Sequence, residues 1–145
     1  MFFGVALVEE FSKWLVLYHT SYNHYEFDQV FDMIVYSAFV ALGFACFENI
    51  LYVFEHGMGT AIIRAFSAVP GHFFDGVFMG YYLGIAKNSQ ANDKNNKKAK
   101  YIFFSIVFPI IFHFMYDILL INPNKLTYAI FVIYVALLYC LAYIK

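Results

Sequence analysis

Glu9, Glu10, Lys13, Glu48, His72, Asp75, His113 and Asp117 sit inside stretches that are otherwise apolar, and their types are those that activate water. A carboxylate can take a proton from water, an imidazole can share that work, and a second imidazole or an amide such as Asn49 can steady a developing oxyanion. On a helix, Lys13 follows Glu10 by three residues and Glu9 by four, so its ammonium can pair with either carboxylate. His113 and Asp117 are four apart, which lets the aspartate bond one ring nitrogen and so fix which nitrogen faces a site. Two histidines with a carboxylate, as in Glu48, His72 and His113, also suit a three-ligand catalytic zinc site with a glutamate left over as base; no HExxH pattern accompanies them, and zinc stays open. Covalent catalysis fits poorly. Ser67 is the only serine near the histidines and has no base beside it, and Cys46 falls on a different helix face from Glu48.

The surrounding chain says what must hold these groups. Of 145 residues 63% are hydrophobic, against roughly 45–50% in ordinary globular proteins, and only 13% are charged against about 25%. With 19 Phe and 13 Tyr, a single domain of this length has no interior large enough for its rings, so lipid is the expected solvent. A net charge of −1 excludes a nucleic-acid partner, which needs a basic surface to displace phosphate counterions. Cys46 and Cys140, far apart in apolar runs, read as small buried hydrophobes.

About 20 apolar residues in helix cross a bilayer, and that ruler divides the chain into an all-α, polytopic bundle of about five membrane helices forming one domain over 1–145. The segments are about 1–18, 30–54, 60–86, 101–121 and 126–144. The polar stretch His19 to Gln29, the turn at His56, Gly57 and Gly59, the run Lys87 to Lys100 and the breaker Asn122, Pro123, Asn124 separate them. The first segment lacks a basic start and a small-residue cleavage site and is expected to stay in the mature chain. Lys87 to Lys100 holds five lysines and one acid, a solvated loop that the positive-inside rule places in the cytoplasm. The His56 and Asn122 turns then face outward.

Each charge at bilayer depth costs roughly 2.5–3.5 kcal/mol unless it is paired or wet. At about 1.5 Å per residue, Glu9 and Glu10 lie ~12–14 Å, Glu48 ~9 Å, His72 ~18 Å, and His113 and Asp117 ~12 and ~6 Å from the outer ends of their segments. Four helices therefore aim acids and imidazoles into one slab of the outer leaflet. Arg64, Ala68, His72, Gly76, Gly80 and Gly84 recur every four residues and Ser37, Ala41, Ala45 and Asn49 make a second small ridge, both suited to close helix packing. Arg64 reads chiefly as an interfacial, snorkelling arginine and secondarily as a substrate contact. Asp75 reads as a pocket residue without an assigned role.

Four stretches carry a family resemblance. Val8 to Trp14 (VEEFSKW) resembles the EExxK motif of PrsW-type intramembrane proteases, Phe44 to Asn49 (FACFEN) resembles their FxxxE motif, Pro70 to Gly84 (PGHFFDGVFMGYYLG) their histidine and glycine motif, and His113 to Asp117 (HFMYD) their HxxxD motif. The family is distantly similar to the CAAX prenyl endopeptidase and bacteriocin-immunity superfamily. The resemblance implies a multi-pass cell-membrane protease whose site faces the extracytoplasmic side and whose substrate is a membrane-anchored protein, as in members that cut anti-sigma factors. It also implies further membrane segments ahead of the EExxK helix, whereas eight residues precede Glu9 here. Carried over by position, Glu9 and Glu10 are the essential glutamates, one of them the base, and Glu48, His72, His113 and Asp117 complete the site, with Lys13, Asn49, Arg64 and Asp75 in support. Other classes use the same residues differently. A proton- or cation-coupled transporter would use the acids as a relay, a haem protein would use His72 and His113 as axial ligands but wants an apolar slot, and a silent immunity-type protein would use none of them.

Overall fold

In lipid a chain can satisfy its backbone only within a helix or a closed barrel, and the described part of the computed structural model is helices joined by short turns. It describes residues 2–25, 27, 29–91, 95–121 and 124–143, and among these there is no strand. Six α-helices follow in order: α1 (Phe2–Leu17), α2 (Val30–His56), α3 (Met58–Phe66), α4 (Ala68–Ala91), α5 (Asn95–Ile121) and α6 (Lys125–Tyr143). The all-α expectation holds. Among the described residues two helices, α2 and the Lys97–Leu120 part of α5, are long and apolar enough to cross a membrane, and Lys125–Leu137 is a shorter apolar stretch.

Burial departs from that of a water-soluble domain: beside an apolar core around Leu17, Met33, Met79 and Leu83, large apolar side chains cover the outside and charged ones lie within. Phe31, Phe39, Phe47, Phe54 and Ile63 are exposed on the outer surface, while Glu10, Lys13, His72, Asp75 and His113 are buried. Apolar residues outside and polar ones within suit a solvent of lipid tails. Cys46 and Cys140 follow the outer set: both are exposed, which corrects their reading as buried, because their helices turn those positions away from the bundle.

Three boundaries differ from the sequence expectation, each for a local reason. The helix does not stop at His19 but runs on to Tyr22 as a wider π-turn. Thr20 Oγ1 donates to the Val16 carbonyl at 2.7 Å and His19 Nδ1 lies 3.0 Å from that of Leu15, so side chains occupy acceptors that an α-turn would use. The expected single segment over 60–86 is broken at Ser67 (φ −124°, ψ −63°) into α3 and α4. Pro70 has no N–H to give the Phe66 carbonyl, so the helix restarts there. The 87–100 run is mostly helical rather than loop, since α4 continues to Ala91 and α5 starts at Asn95; extending a formed helix needs no new nucleus. Residues 92–94, like Glu26, Asp28, Asn122, Pro123 and Ile144, fall outside the described part of the chain.

Gly57, with φ +83°, turns the chain between α2 and α3 in a backbone region that side chains rarely adopt. Asn124 caps α6 by accepting from the N–H groups of Leu126 and Thr127, both at 2.9 Å. The central pair is α2 against α4, antiparallel and close. A Cβ placed on Gly76 would meet Ala41 Cβ at 2.7 Å, one on Gly84 would meet Val30 Cα at 2.8 Å, and one on Gly80 would strike the Met33 carbonyl oxygen. The small ridge of α2 answers it, with Ser37, Ala41 and Ala45 all buried. Because the obstacles at Gly80 are backbone atoms that cannot rotate away, Gly80→Ala is expected to destabilise the protein by about 1–3 kcal/mol or more. Gly43→Ala, whose Cβ meets nothing within 4 Å, should leave stability level or slightly raised. Thermal unfolding of the two variants in detergent checks the contrast.

Candidate active site

Close packing of α2 on α4 brings Glu48 opposite His72, and α1 and α5 close the remaining sides. Trp14 Nε1 donates to Ser105 Oγ at 2.9 Å, which ties α1 to α5. The open cavity between them, of about 480 Å³, is lined by Glu9, Glu48, Arg64, His72, Asp75, His113 and Asp117 together with Tyr52, Tyr116 and Tyr134. Thus six of the expected site residues, Glu9, Glu48, His72, His113, Asp117 and Asp75, share one cavity, with Arg64 at its wall.

The two adjacent glutamates part company. Glu9 lines the cavity and its side chain is 25% exposed. Glu10 is fully buried behind it and is a hub: its Oε1 lies 2.6 Å from Lys13 Nζ and 2.7 Å from His113 Nδ1. Lys13, which could have reached either acid, chooses Glu10. Its ammonium also sits 2.7 Å from His72 Nδ1 and is 1% exposed.

These contacts fix proton positions. An ammonium has only donors, so His72 Nδ1 accepts from Lys13, and Nε2 carries the hydrogen that it donates to Glu48 Oε2 at 2.9 Å. Arg64 Nη2 meets the same Glu48 oxygen at 2.7 Å, and the guanidinium lies 3.8 Å from the centre of the Tyr52 ring. Arg64 is therefore part of the site wall, which corrects the snorkelling reading: the break at Ser67 turns α3 so that its arginine points inward. For His113 the carboxylate of Glu10 accepts from Nδ1–H, which leaves the Nε2 lone pair free. Around that lone pair stand Glu9 Oε2 at 3.9 Å and Asp117 Oδ1 at 3.8 Å. Asp117 was expected to orient His113; Glu10, on the neighbouring helix, does so instead, since the i to i+4 pair is too long for a hydrogen bond. Neither separation is a direct hydrogen bond, and Glu9, His113 and Asp117 all line the cavity.

Asn49 is not at the cavity wall. Its amide donates to the Ala61 carbonyl at 3.3 Å and ties α2 to α3, so it supports the site by holding Arg64's helix rather than by meeting an oxyanion. Ser67 receives the Tyr116 hydroxyl at 3.2 Å and gives its own to Ile63, with no base beside it. Tyr52, Tyr116 and Tyr134 line the cavity without having been singled out by sequence, because a tyrosine in an apolar run reads equally well as a membrane-interface residue.

By position, two sets of donors could hold a metal ion: Glu9, Glu48 and His72, and the fully buried Glu10, His72, Asp75 and His113, each set with its ligand atoms within 4.8 Å of one another. Carboxylate and imidazole are the right types for zinc. The hydrogen bonds are already committed otherwise. His72 offers Lys13 its lone pair and Glu48 its proton, so neither ring nitrogen is left for a metal, and a cation already stands in the buried set. With Lys13 in place, the donor set does not fit a zinc ion.

Comparison with known proteins covers nearly the whole chain. The model of the PrsW family intramembrane metalloproteases matches residues 1–143. The chain is 44% identical over 127 residues to protease PrsW of Geobacillus kaustophilus, covering 88% of this chain and 54% of that protein. Against protease PrsW of Bacillus subtilis it is 41% identical over 119 residues, 82% of this chain and 53% of the relative. The corresponding values for protease PrsW of Clostridioides difficile are 34% over 142 residues, 95% and 58%. The chain spans about half the length of the curated relatives it matches. No solved structure matches it.

Proposed function

This chain belongs to the PrsW family of intramembrane proteases, and we propose that its cavity hydrolyses a peptide bond of a membrane-anchored protein with water activated by Glu9, as a glutamic-type rather than a metal-dependent enzyme. The observation that carries the reading is the trio of Glu9 Oε2, His113 Nε2 and Asp117 Oδ1 at the cavity wall, with the two carboxylate oxygens 3.9 and 3.8 Å from the imidazole nitrogen. A water entering from the cavity donates one hydrogen to Glu9 and one to His113, which turns its lone pair toward a carbonyl carbon in the cavity. Glu9 takes the proton as the carbon–oxygen bond forms and returns it to the leaving amine. Glu10 keeps the His113 ring in the tautomer that accepts.

Charge developing on the carbonyl oxygen needs a donor, and Arg64 has one: its Nε–H is buried without a partner while Nη2 is held by Glu48. A buried unsatisfied donor is costly to a resting protein and becomes useful when an oxyanion appears beside it. Catalytic roles thus go to Glu9, His113 and Arg64, and positioning roles to Glu10, Lys13, Glu48 and His72; Asp117 and Asp75 line the pocket.

In this reading the whole chain is one membrane domain of about five crossings. The lysines of 87–100 face the cytoplasm and the cavity lies toward the extracytoplasmic leaflet, as the bias of lysines supports. The expected substrate is a single-span protein cut near the membrane surface, anti-sigma-factor-like in form. Purified chain reconstituted in liposomes with such a single-span peptide should release a membrane-proximal fragment. A folded chain that leaves the peptide intact, with the peptide accessible in the same vesicles, would sink the proposal.

A further inference from the structure

The family to which this chain belongs is described as metalloproteases, yet the charge at the centre of this site is a lysine. Lys13 is 1% exposed, within hydrogen-bond distance of Glu10 on its own helix and of His72 on α4, and 5.7 Å from the centre of the Phe44 ring on α2. Its two short partners, Glu10 and His72, belong to the buried donor set that also includes Asp75 and His113. A lysine so deeply buried is rarely without a purpose, because its desolvation must be offset by well-placed acceptors. Here those acceptors are the ones that a divalent ion would use.

We infer that the Lys13 ammonium is a tethered stand-in for a metal ion: it is bonded to Glu10 and His72, two members of the Glu10, His72, Asp75 and His113 donor set, and its removal converts that set into a divalent-cation site. Two observations support this beyond the cluster itself. Glu10 Oε2 is buried with no partner, so the set keeps a carboxylate oxygen that a single-point ammonium does not satisfy. The surrounding carboxyl groups of Glu9, Glu48, Asp75 and Asp117, with that of Glu10, outnumber the two fixed cations Lys13 and Arg64, so oxygen ligands for another positive charge are at hand. Losing Lys13 would also free the His72 Nδ1 lone pair. Ligand atoms within 4.8 Å of one another need only small shifts to reach the roughly 2.0–2.2 Å bonds of zinc.

The inference rests on the glutamic form of the proposed mechanism, and its test reads metal content rather than cleavage, so the two can fail separately. Full-length protein is purified, incubated with Zn²⁺, dialysed and assayed for bound metal by mass spectrometry. The wild type should retain essentially none and Lys13→Met about one equivalent, with Zn²⁺ raising the unfolding temperature of the variant and not of the wild type. Lys13→Met combined with Glu10→Gln, which removes a ligand, should lose most of that zinc. A wild type that holds one equivalent, or a Lys13→Met variant that gains none, overturns the inference. Should Lys13→Met not fold in the absence of metal, Lys13→Gln is read in the same way, and the wild-type measurement decides on its own whether the set is already filled. Cleavage that fails in a wild type free of zinc would refute the hydrolytic mechanism and leave the cation assignment standing.

Discussion

Glu9→Gln should remove cleavage and leave the protein folded. Removal of a general base typically costs about 10²–10⁴ in rate, and at Glu9 that loss should come almost undiluted by structural damage. Its nearest ion-pair partner is His113, 3.9 Å away, too far for a direct hydrogen bond. The glutamine is isosteric, still lines the cavity, and cannot take a proton. The measurement is paired: turnover of a single-span peptide in liposomes, and the thermal transition of the same preparation. Loss of turnover with an unmoved transition identifies Glu9 as the base. Turnover within tenfold of wild type would hand the role to Asp117, the other carboxylate beside the His113 lone pair, and the adjacent-glutamate assignment would be wrong.

Why the sequence could not choose between Glu9 and Glu10 is a matter of geometry. Neighbouring residues on a helix point about 100° apart, and which one meets the cavity depends on how α1 leans on α5. That lean is set by contacts remote in sequence, such as Trp14 to Ser105. The residue types and the helices that carry them were legible, because ionisable groups in apolar runs stand out and a carboxylate in lipid must find a partner. Small-residue spacing also predicted the α2 and α4 faces that pack, since four-residue periodicity is a local property of a helix.

What depended on a bend was not legible. Arg64 and His72 lie on one stripe of an uninterrupted helix, two turns apart, and on that assumption the arginine reaches toward the interface. The break at Ser67, with Pro70 in the first turn of α4, interrupts the stripe and brings Arg64 onto Glu48. Pro70 was visible, but a proline in a first turn and a proline in a helix interior leave the same letter in the sequence. The partner of His113 was misjudged for a related reason: Asp117 is the neighbour by spacing, while Glu10, 103 residues away, is the neighbour in space. Local periodicity proposes pairs, and tertiary packing decides among them.

Glu10→Gln should be the most destabilising conservative change at the site, although it deletes no more atoms than Glu9→Gln. Glu10 and Lys13 are 0% and 1% exposed, so solvent does not screen their interaction. Breaking such a pair by neutralising one member leaves the other buried and uncompensated, which costs about 3–5 kcal/mol. His113 also loses the carboxylate that fixes its tautomer, so cleavage should fall together with stability, the signature of a positioning residue rather than of a base. The double variant Glu10→Gln with Lys13→Met separates charge from shape. If the cost of the single change is an orphaned ammonium, removing that ammonium too should recover much of the loss, and the two substitutions together should destabilise less than the sum of each alone. Unfolding of all four proteins in detergent gives the coupling directly. Strict additivity would mean that Glu10 stabilises the bundle through packing alone; a large favourable coupling places the ion pair at the point where α1 is fastened to α4 and α5, through His72 on one side and His113 on the other.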